Sequence, residues 1–549
     1  MPAEAAPLYD RLQSLENVLL AWHEEKEKDQ KQKEHRFRRF LVQLVIIAAT
    51  AVGVVWSMLE MGAWYWDRWQ KRTMAERYNA VANSMYEEEN SPDVALQMLE
   101  QSLALDDCFE TRYQYAYIKG MKAVQLLLNL DRPFTSDELN TAHLSLAEAK
   151  FLIQLSPDRP EGYILESQIY TALGEYDNAE KSIQRALEIV PDHAFAQIRY
   201  TTLLFNQQKY QEAQKIVEKV LAANPDYKWG YLWYGLVLDA QKKKKDAIIQ
   251  LEKAIELDPK FDTAIYNLGL SHLNSRPRNY AGARKYFLQV LKINPSYKQA
   301  YYQLGMSYGF EDRYDVALTY MDKALAVSKD YLTAHQWKAL VLFEMKRYDE
   351  AIVSYSEAIM LDPRNDELYV SRARVKYNLQ QLNDAICDLD FALELNPQNS
   401  EALMIRSEIH AKNGNITAAL ADIDEAMKIS KGKGTLADLW STRAKIQYSA
   451  GKTAEAIADQ KKAVACYRSK HTLCNLAWYQ ANAGLTADAL KTLDDLHKLD
   501  GKFAKAWKLR AKLLKNQDKA AALAAVDKCL AVTPEDKEMQ KLKKELLAK

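Results

Sequence analysis

Past residue 75 the chain alternates apolar and polar positions at helical spacing, in paired blocks separated by short polar turns that return with a fixed period. Pro157, Pro191, Pro225 and Pro259 stand 34 residues apart; Pro295 follows after 36, and Pro363 and Pro397 resume the period after one skipped position. Alanines keep the same time at Ala179, Ala213, Ala247, Ala283, Ala317, Ala351, Ala385 and Ala419, and continue less regularly at Ala456 and Ala489. The one longer step carries the insertion Ser275–Asn279 (SRPRN). A small residue precedes these alanines by a near-constant interval: Gly235, Gly269, Gly305, Ala339, Ala373, Ser407, Ala444 and Ala477. Small residues facing each other let two antiparallel helices approach closely. Between them lie turns such as LGEYDNA (173–179) and KNGNITA (412–418). The proline falls where the second helix must end, since it cannot continue the hydrogen-bond ladder. Endings such as ALEIVP (186–191) and ALELNP (392–397) mark that point. The pattern predicts an all-α chain of repeated helical hairpins.

This pattern resembles the tetratricopeptide repeat family in its period, paired helices and closing proline. The match is strong over about 160–430 and looser to 535. Divergent repeats occupy 76–157, with a longer unit and an insertion around Arg132–Glu138. The resemblance implies about thirteen helix pairs in a right-handed superhelical solenoid, with the array proper at 158–535. Residues 536–549 are expected to form a polar capping helix, which a solenoid needs over its last apolar face. The resemblance also implies a concave groove lined by the first helix of each pair. It places Trp229, Leu232, Trp233, Tyr266, Asn267, Tyr302, Gln303, Gln336 and Trp337 in that groove. Trp229, Trp233, Tyr266, Asn267, Tyr302, Gln303 and Trp337 are the candidate partner-binding residues, because exposed aromatics anchor peptides and protein loops. The competing reading is that these rings pack against neighbouring repeats as core. Two specialised forms of the family do not fit. The carboxylate clamp of chaperone-binding members fails around Asn267, where Leu232, Leu236, Gln299 and Gln303 hold the neighbouring positions. The asparagine ladder of the glycosyltransferase form is replaced by Arg199, Trp233, Asn267, Gln303, Trp337, Ser371 and Ile405.

The N-terminal portion has a different pattern. Phe40 to Leu59 is an uncharged apolar run. At about 1.5 Å per helical residue it spans ~30 Å, the thickness of a bilayer's hydrocarbon core. Trp56, Trp64, Tyr65, Trp66 and Trp69 cluster at its far edge, as an interfacial aromatic belt would. We therefore expect one transmembrane helix at 40–59, acting as a retained signal anchor, with a juxtamembrane aromatic segment at 60–75. Residues 24–39 carry seven lysines and arginines and residues 60–79 carry four. The positive-inside rule then places the N-terminus in the cytoplasm and the repeats on the far side, in a periplasm or lumen; a cytosolic array is the alternative. Within residues 1–39, Leu8, Leu12, Leu15, Leu19 and Trp22 form a short heptad seam. Self-association, docking on a partner helix and lying on the membrane surface are all open to it.

Composition removes other classes. With 74 basic and 74 acidic residues the chain has no global basic footprint, so nucleic acid is not an expected partner. Five cysteines give no metal-ligand spacing, and only Cys466 and Cys474 are close enough in sequence to raise the question of a disulfide. No GxxxxGK[ST], HExxH, GxSxG or GxGxxG occurs, and KGKGT (431–435) falls between repeats without a preceding strand. Neither an enzyme activity nor a cofactor is implied. The favoured expectation is a membrane-tethered scaffold or adaptor that binds other proteins or peptides, in envelope assembly, secretion or polysaccharide export; homo-oligomerisation stays open. The alternatives are an organelle-surface receptor or co-chaperone with a cytosolic array, and a regulatory subunit acting through the N-terminal segment.

Overall fold

The computed structural model describes residues 63–87, 91–129, 131–275 and 278–548. The apolar run at 40–59 and the heptad positions Leu8 to Trp22 lie outside the described residues. Among those described, no helix is long and apolar enough to cross a membrane. The described residues form 27 helices and no strand, which make thirteen consecutive pairs plus one final helix. The first helix, Ala63–Glu87, runs unbroken through the boundary expected at 75–76 and pairs with Pro92–Leu105. The last, Lys537–Ala548, buries Met539, Leu542 and Leu546 against Trp507, Val526 and Cys529.

The chain divides into two compact units. The described part of the first lies within residues 63–125 and 141–173. It is cored by Leu99 with Ala82, Ala95 and Ile118, and by Leu152, Leu165 and Ile169 with Ala116 and Ala149. The second comprises residues 126–140 and 174–549, so the insertion around Arg132–Glu138 packs with the later repeats. Within it each first helix packs on its partner, as Lys228–Ala240 does on Lys244–Leu257, and second helices hand over to the next first helix. First helices of successive pairs also touch, as Lys228–Ala240 touches Asp262–Leu273 and Lys298–Gly309 touches Leu332–Glu344. The first helices therefore share one face of this unit.

The marker alanines do what their spacing implies: Ala213, Ala247, Ala283, Ala317, Ala351, Ala385 and Ala419 are fully buried. Where the facing small residue is glycine, there is no room for a side chain. A Cβ on Gly235 would stand 2.8 Å from Leu251 and 3.2 Å from the Ala247 carbonyl oxygen, and one on Gly305 would stand 3.1 Å from the Ala317 carbonyl. The turn between paired helices reverses through one left-handed residue. Glycine occupies it at Gly174, Gly414, Gly451 and Gly484, while Gln208, Lys242, Asp312, Lys346 and Gln380 adopt the same conformation at φ of 59–66°. A side chain there costs about 1–2 kcal/mol, partly offset in glycine by unfolded-state entropy. Lys346→Gly and Gln380→Gly are each expected to raise stability by about 0.5–1 kcal/mol, read as a higher urea midpoint at unchanged slope.

Charged side chains cross between helices in a repeating register. Arg372 forks onto Asp388 (2.9 and 2.7 Å) and reaches Ser356 of the preceding pair (3.0 Å). Arg406 forks onto Asp422 (2.9 and 2.7 Å) and reaches Asp390 of the preceding pair (2.7 Å). Arg443 lies between Asp459 (3.6 Å) and Asp424 (3.4 Å) at ion-pair distance, without a fork. Each guanidinium thus lies between its own second helix and the previous one, and at Arg372 and Arg406 the planar fork fixes the register.

At the C-terminal end His497 lies flat on Trp507, with ring centroids 3.5 Å apart. Burial chiefly, with the nearby Arg510 and Lys528 charges and against the opposing pull of Asp494, lowers its pKa to about 4. In the unfolded chain it takes a proton near the ordinary 6.5, so its contribution to stability is complete above that pH and lost as pH falls through about 4. The full loss is at most about 3 kcal/mol. The last repeats are expected to loosen in that window by amide exchange, and His497→Phe should flatten the dependence.

Candidate functional site

The groove expected from the resemblance runs along the first helices, and the structure separates its predicted residues by burial. Trp229 is exposed, with its ring edge against Phe261 at 4.7 Å. Leu232 is buried in the core, against the expectation of a groove position, and Trp233, Tyr266, Asn267, Tyr302, Gln303 and Trp337 are half-buried and occupied with neighbours. Trp233 stands against Phe205 (5.7 Å); Tyr302 against Tyr331 (5.6 Å) and Trp337 (6.5 Å); Trp337 against Phe310 (5.2 Å). Tyr266 packs on Phe287 and Tyr297 and accepts a 3.4 Å hydrogen bond from the Gln303 amide. Gln303 keeps a buried amide oxygen with no hydrogen-bond partner. Asn267 turns back to its own helix, donating to the Thr263 carbonyl at 2.7 Å. Burial pushes the Tyr266 phenol up to about 12 and those of Tyr302 and Tyr331 higher still, so these hydroxyls stay neutral at physiological pH. The rings thus form separate clusters, Trp233 with Phe205, Tyr266 with Phe287 and Tyr297, and Tyr302 with Tyr331, Trp337 and Phe310, while Trp229 stands exposed beside Phe261.

A more open stretch lies further along the same unit. A cleft of about 820 Å³ runs over the helices Ser400–Lys412, Lys433–Ser449 and Lys470–Asn482. Its walls include Asp438, Ser441, Thr442, Lys445, His471 and Asn475, and Trp478 and Tyr467 stand in it 43% and 58% exposed. The Trp478 ring is held edge-on by Tyr448 at 4.9 Å, which fixes its orientation while leaving its outer side open. Lys445 is paired with Glu408 at 3.0 Å and Lys470 with Asp500 at 3.0 Å. These residues were legible in principle: counting from Ala456 and Ala489 puts Asp438, Ser441, Thr442, Lys445, His471, Asn475 and Trp478 at the groove positions already applied to 228–337. The step of 37 residues before Ala456 interrupts the period and hides them.

Among the described residues no group of histidine, cysteine and carboxylate side chains is placed to hold a metal. Cys108, Cys387, Cys466, Cys474 and Cys529 are all free thiols, so Cys466 and Cys474 do not pair. KGKGT supplies the first turn of the helix Lys433–Ser449, with Gly432 as its cap.

The repeats match the tetratricopeptide repeat family at residues 160–193, 204–269, 298–331 and 370–432, and its TPR repeat form at 339–380. The chain is a tetratricopeptide repeat protein. The matched 160–193 and 298–331 coincide with pairs beginning at Pro160 and Lys298 and closed by the turn before the next first helix. No curated protein matches the chain. Among solved structures, yeast Tom70 is 14% identical, with 76% of this chain and 97% of that chain covered and a TM-score of 0.37. The Cut9–Hcn1 hetero-tetramer of APC/C is 14% identical over 86% and 96%, at 0.39. YrrB, described as a TPR protein with an unusual peptide-binding site, is 21% identical over 36% and 97%, at 0.30. None of these lends this tetratricopeptide repeat chain a partner.

Proposed function

We propose that this protein is a membrane-tethered scaffold that captures extended segments of other proteins along its first-helix face. The observation that carries the reading is the cleft over three consecutive repeats, where Trp478 and Tyr467 stand exposed among hydrogen-bonding side chains. Exposed, orientationally fixed aromatics anchor a segment, and the surrounding donors and acceptors set its register. The apolar run at 40–59 supplies the tether, and the lysine and arginine bias around it favours an array on the far side of the membrane. Assembly of an envelope, secretion or polysaccharide-export complex is the setting this arrangement suits best.

Protease treatment of sealed vesicles of known orientation tests the reading. The account expects the array to stay protected until the membrane is opened, and deletion of residues 40–59 to release it from the membrane. Digestion from the cytoplasmic side would instead support a receptor or co-chaperone role. The five unpaired thiols, with Cys387 exposed, favour that second reading because they suit a reducing compartment.

A further inference from the structure

The insertion that lengthens the second repeat is seated on a different part of the chain. Asp131 lies 201 residues before Leu332, yet its carboxylate accepts the backbone N–H of Leu332 (3.0 Å) and of Thr333 (2.7 Å) and the Thr333 hydroxyl (2.7 Å). These are the first N–H groups of the helix Leu332–Glu344, which have no partner in the preceding turn of helix. That helix's own cap, Tyr331, offers them no side-chain acceptor. Asp131 therefore serves as a cap supplied from outside the repeat.

Arg132 adds a second point of attachment. Its guanidinium, only 10% exposed, lies 3.3 Å from Asp330 while it forks onto Glu138 at 2.8 and 3.1 Å. Asp330 is held in place by the Ser328 hydroxyl at 2.6 Å. The segment is shaped by its own bonds: the Thr135 N–H donates to Glu138 (2.8 Å) and the Glu138 N–H to the Thr135 hydroxyl (3.3 Å), a capping box that starts the helix Ser136–Leu155. Segment and seat both belong to the second compact unit. Thr333 is a groove-lining position of its repeat, and Tyr302, Tyr331 and Trp337 stack beside it.

We infer that residues 131–138 are a built-in occupant of the first-helix face at Asp330–Thr333, closing this part of the face to other chains. The seat reads a carboxylate at two helix N–H groups and a hydroxyl, and a guanidinium at Asp330. Asp131 supplies three hydrogen bonds to the seat and Arg132 one partly exposed ion pair. The inference goes beyond the scaffold reading, because it concerns a segment of this chain and needs no partner to test.

The probe is a labelled synthetic peptide of residues 127–139, added to the full-length chain. Wild type and a variant carrying Asp131→Asn with Arg132→Ala are compared by fluorescence anisotropy. The variant is expected to bind at least tenfold more tightly than wild type, and the same peptide carrying Asp131→Asn is expected not to bind. Equal binding to both chains would mean the seat is open and overturn the inference. Absence of binding to a variant of unchanged helicity would do the same, as would a wild-type dimer that the substitutions dissolve, since the segment would then act between copies. Should the variant fail to fold, amide exchange in the wild type decides. Leu332 and Thr333 must exchange well below Asp366 and Glu367, which start a helix whose cap Asn365 accepts no N–H of that helix with its side chain. Matching rates would contradict the inference.

Discussion

Asp388→Ala is expected to destabilise the second unit by about 3 kcal/mol, the scale on which removing one partner of a buried pair acts. Asp388 is 6% exposed and receives both the Arg372 fork and the Lys376 ammonium at 2.8 Å. Deleting the carboxylate strands two cations where water reaches them poorly. Arg372→Met should cost less, because Asp388 keeps Lys376, and Asp388→Asn should fall between, since its carbonyl still accepts from the guanidinium. By contrast Arg185 and Glu188 are a largely exposed pair, and Glu188→Ala should stay within about 0.5 kcal/mol. The order of these four variants in urea denaturation is the check. Equal midpoints for Asp388→Ala and Glu188→Ala would show that the Arg–Asp register contributes nothing.

A comparable loss is expected from Phe287→Ala, about 3–5 kcal/mol for truncating a buried aromatic. Phe287 is fully buried, and its ring fills the space that the missing side chain of Gly269 leaves: a Cβ there would stand 2.7 Å from it. Gly269→Val alone should cost about 1–3 kcal/mol by overpacking. The two residues occupy one volume, so the double substitution should cost clearly less than the sum of the single ones. Additivity within error would mean that the two helices are spaced by something other than this contact.

These residues also show what the sequence discloses. The alanine period, the facing glycines and the closing prolines are local in spacing, and they foretold the helix pairs. The left-handed turn was visible only where glycine marks it; Gln208, Lys242, Asp312, Lys346 and Gln380 conceal the same geometry behind ordinary polar side chains. Lys242 opens the KKKK run that looks like a plain solvated turn. The Arg–Asp register was not seen because charges spaced along a helix look like a solvated face until the second helix is placed against it. For the candidate groove residues, the sequence did not disclose which are exposed and which are stacked. Whether Trp337 is free or stacked depends on Phe310, Tyr302 and the turn of each repeat, and the seating of Asp131 joins residues some two hundred positions apart.

The central claim is that the first-helix face, not the outer surface, meets partner proteins. Site-specific photo-crosslinking in intact cells tests it most directly, with the full-length chain carrying a photoreactive residue at Trp478 or at Met360, a 74% exposed position on a second helix. The account predicts discrete crosslinked species from position 478 and none from position 360. Crosslinks from 360 with none from 478 would contradict it.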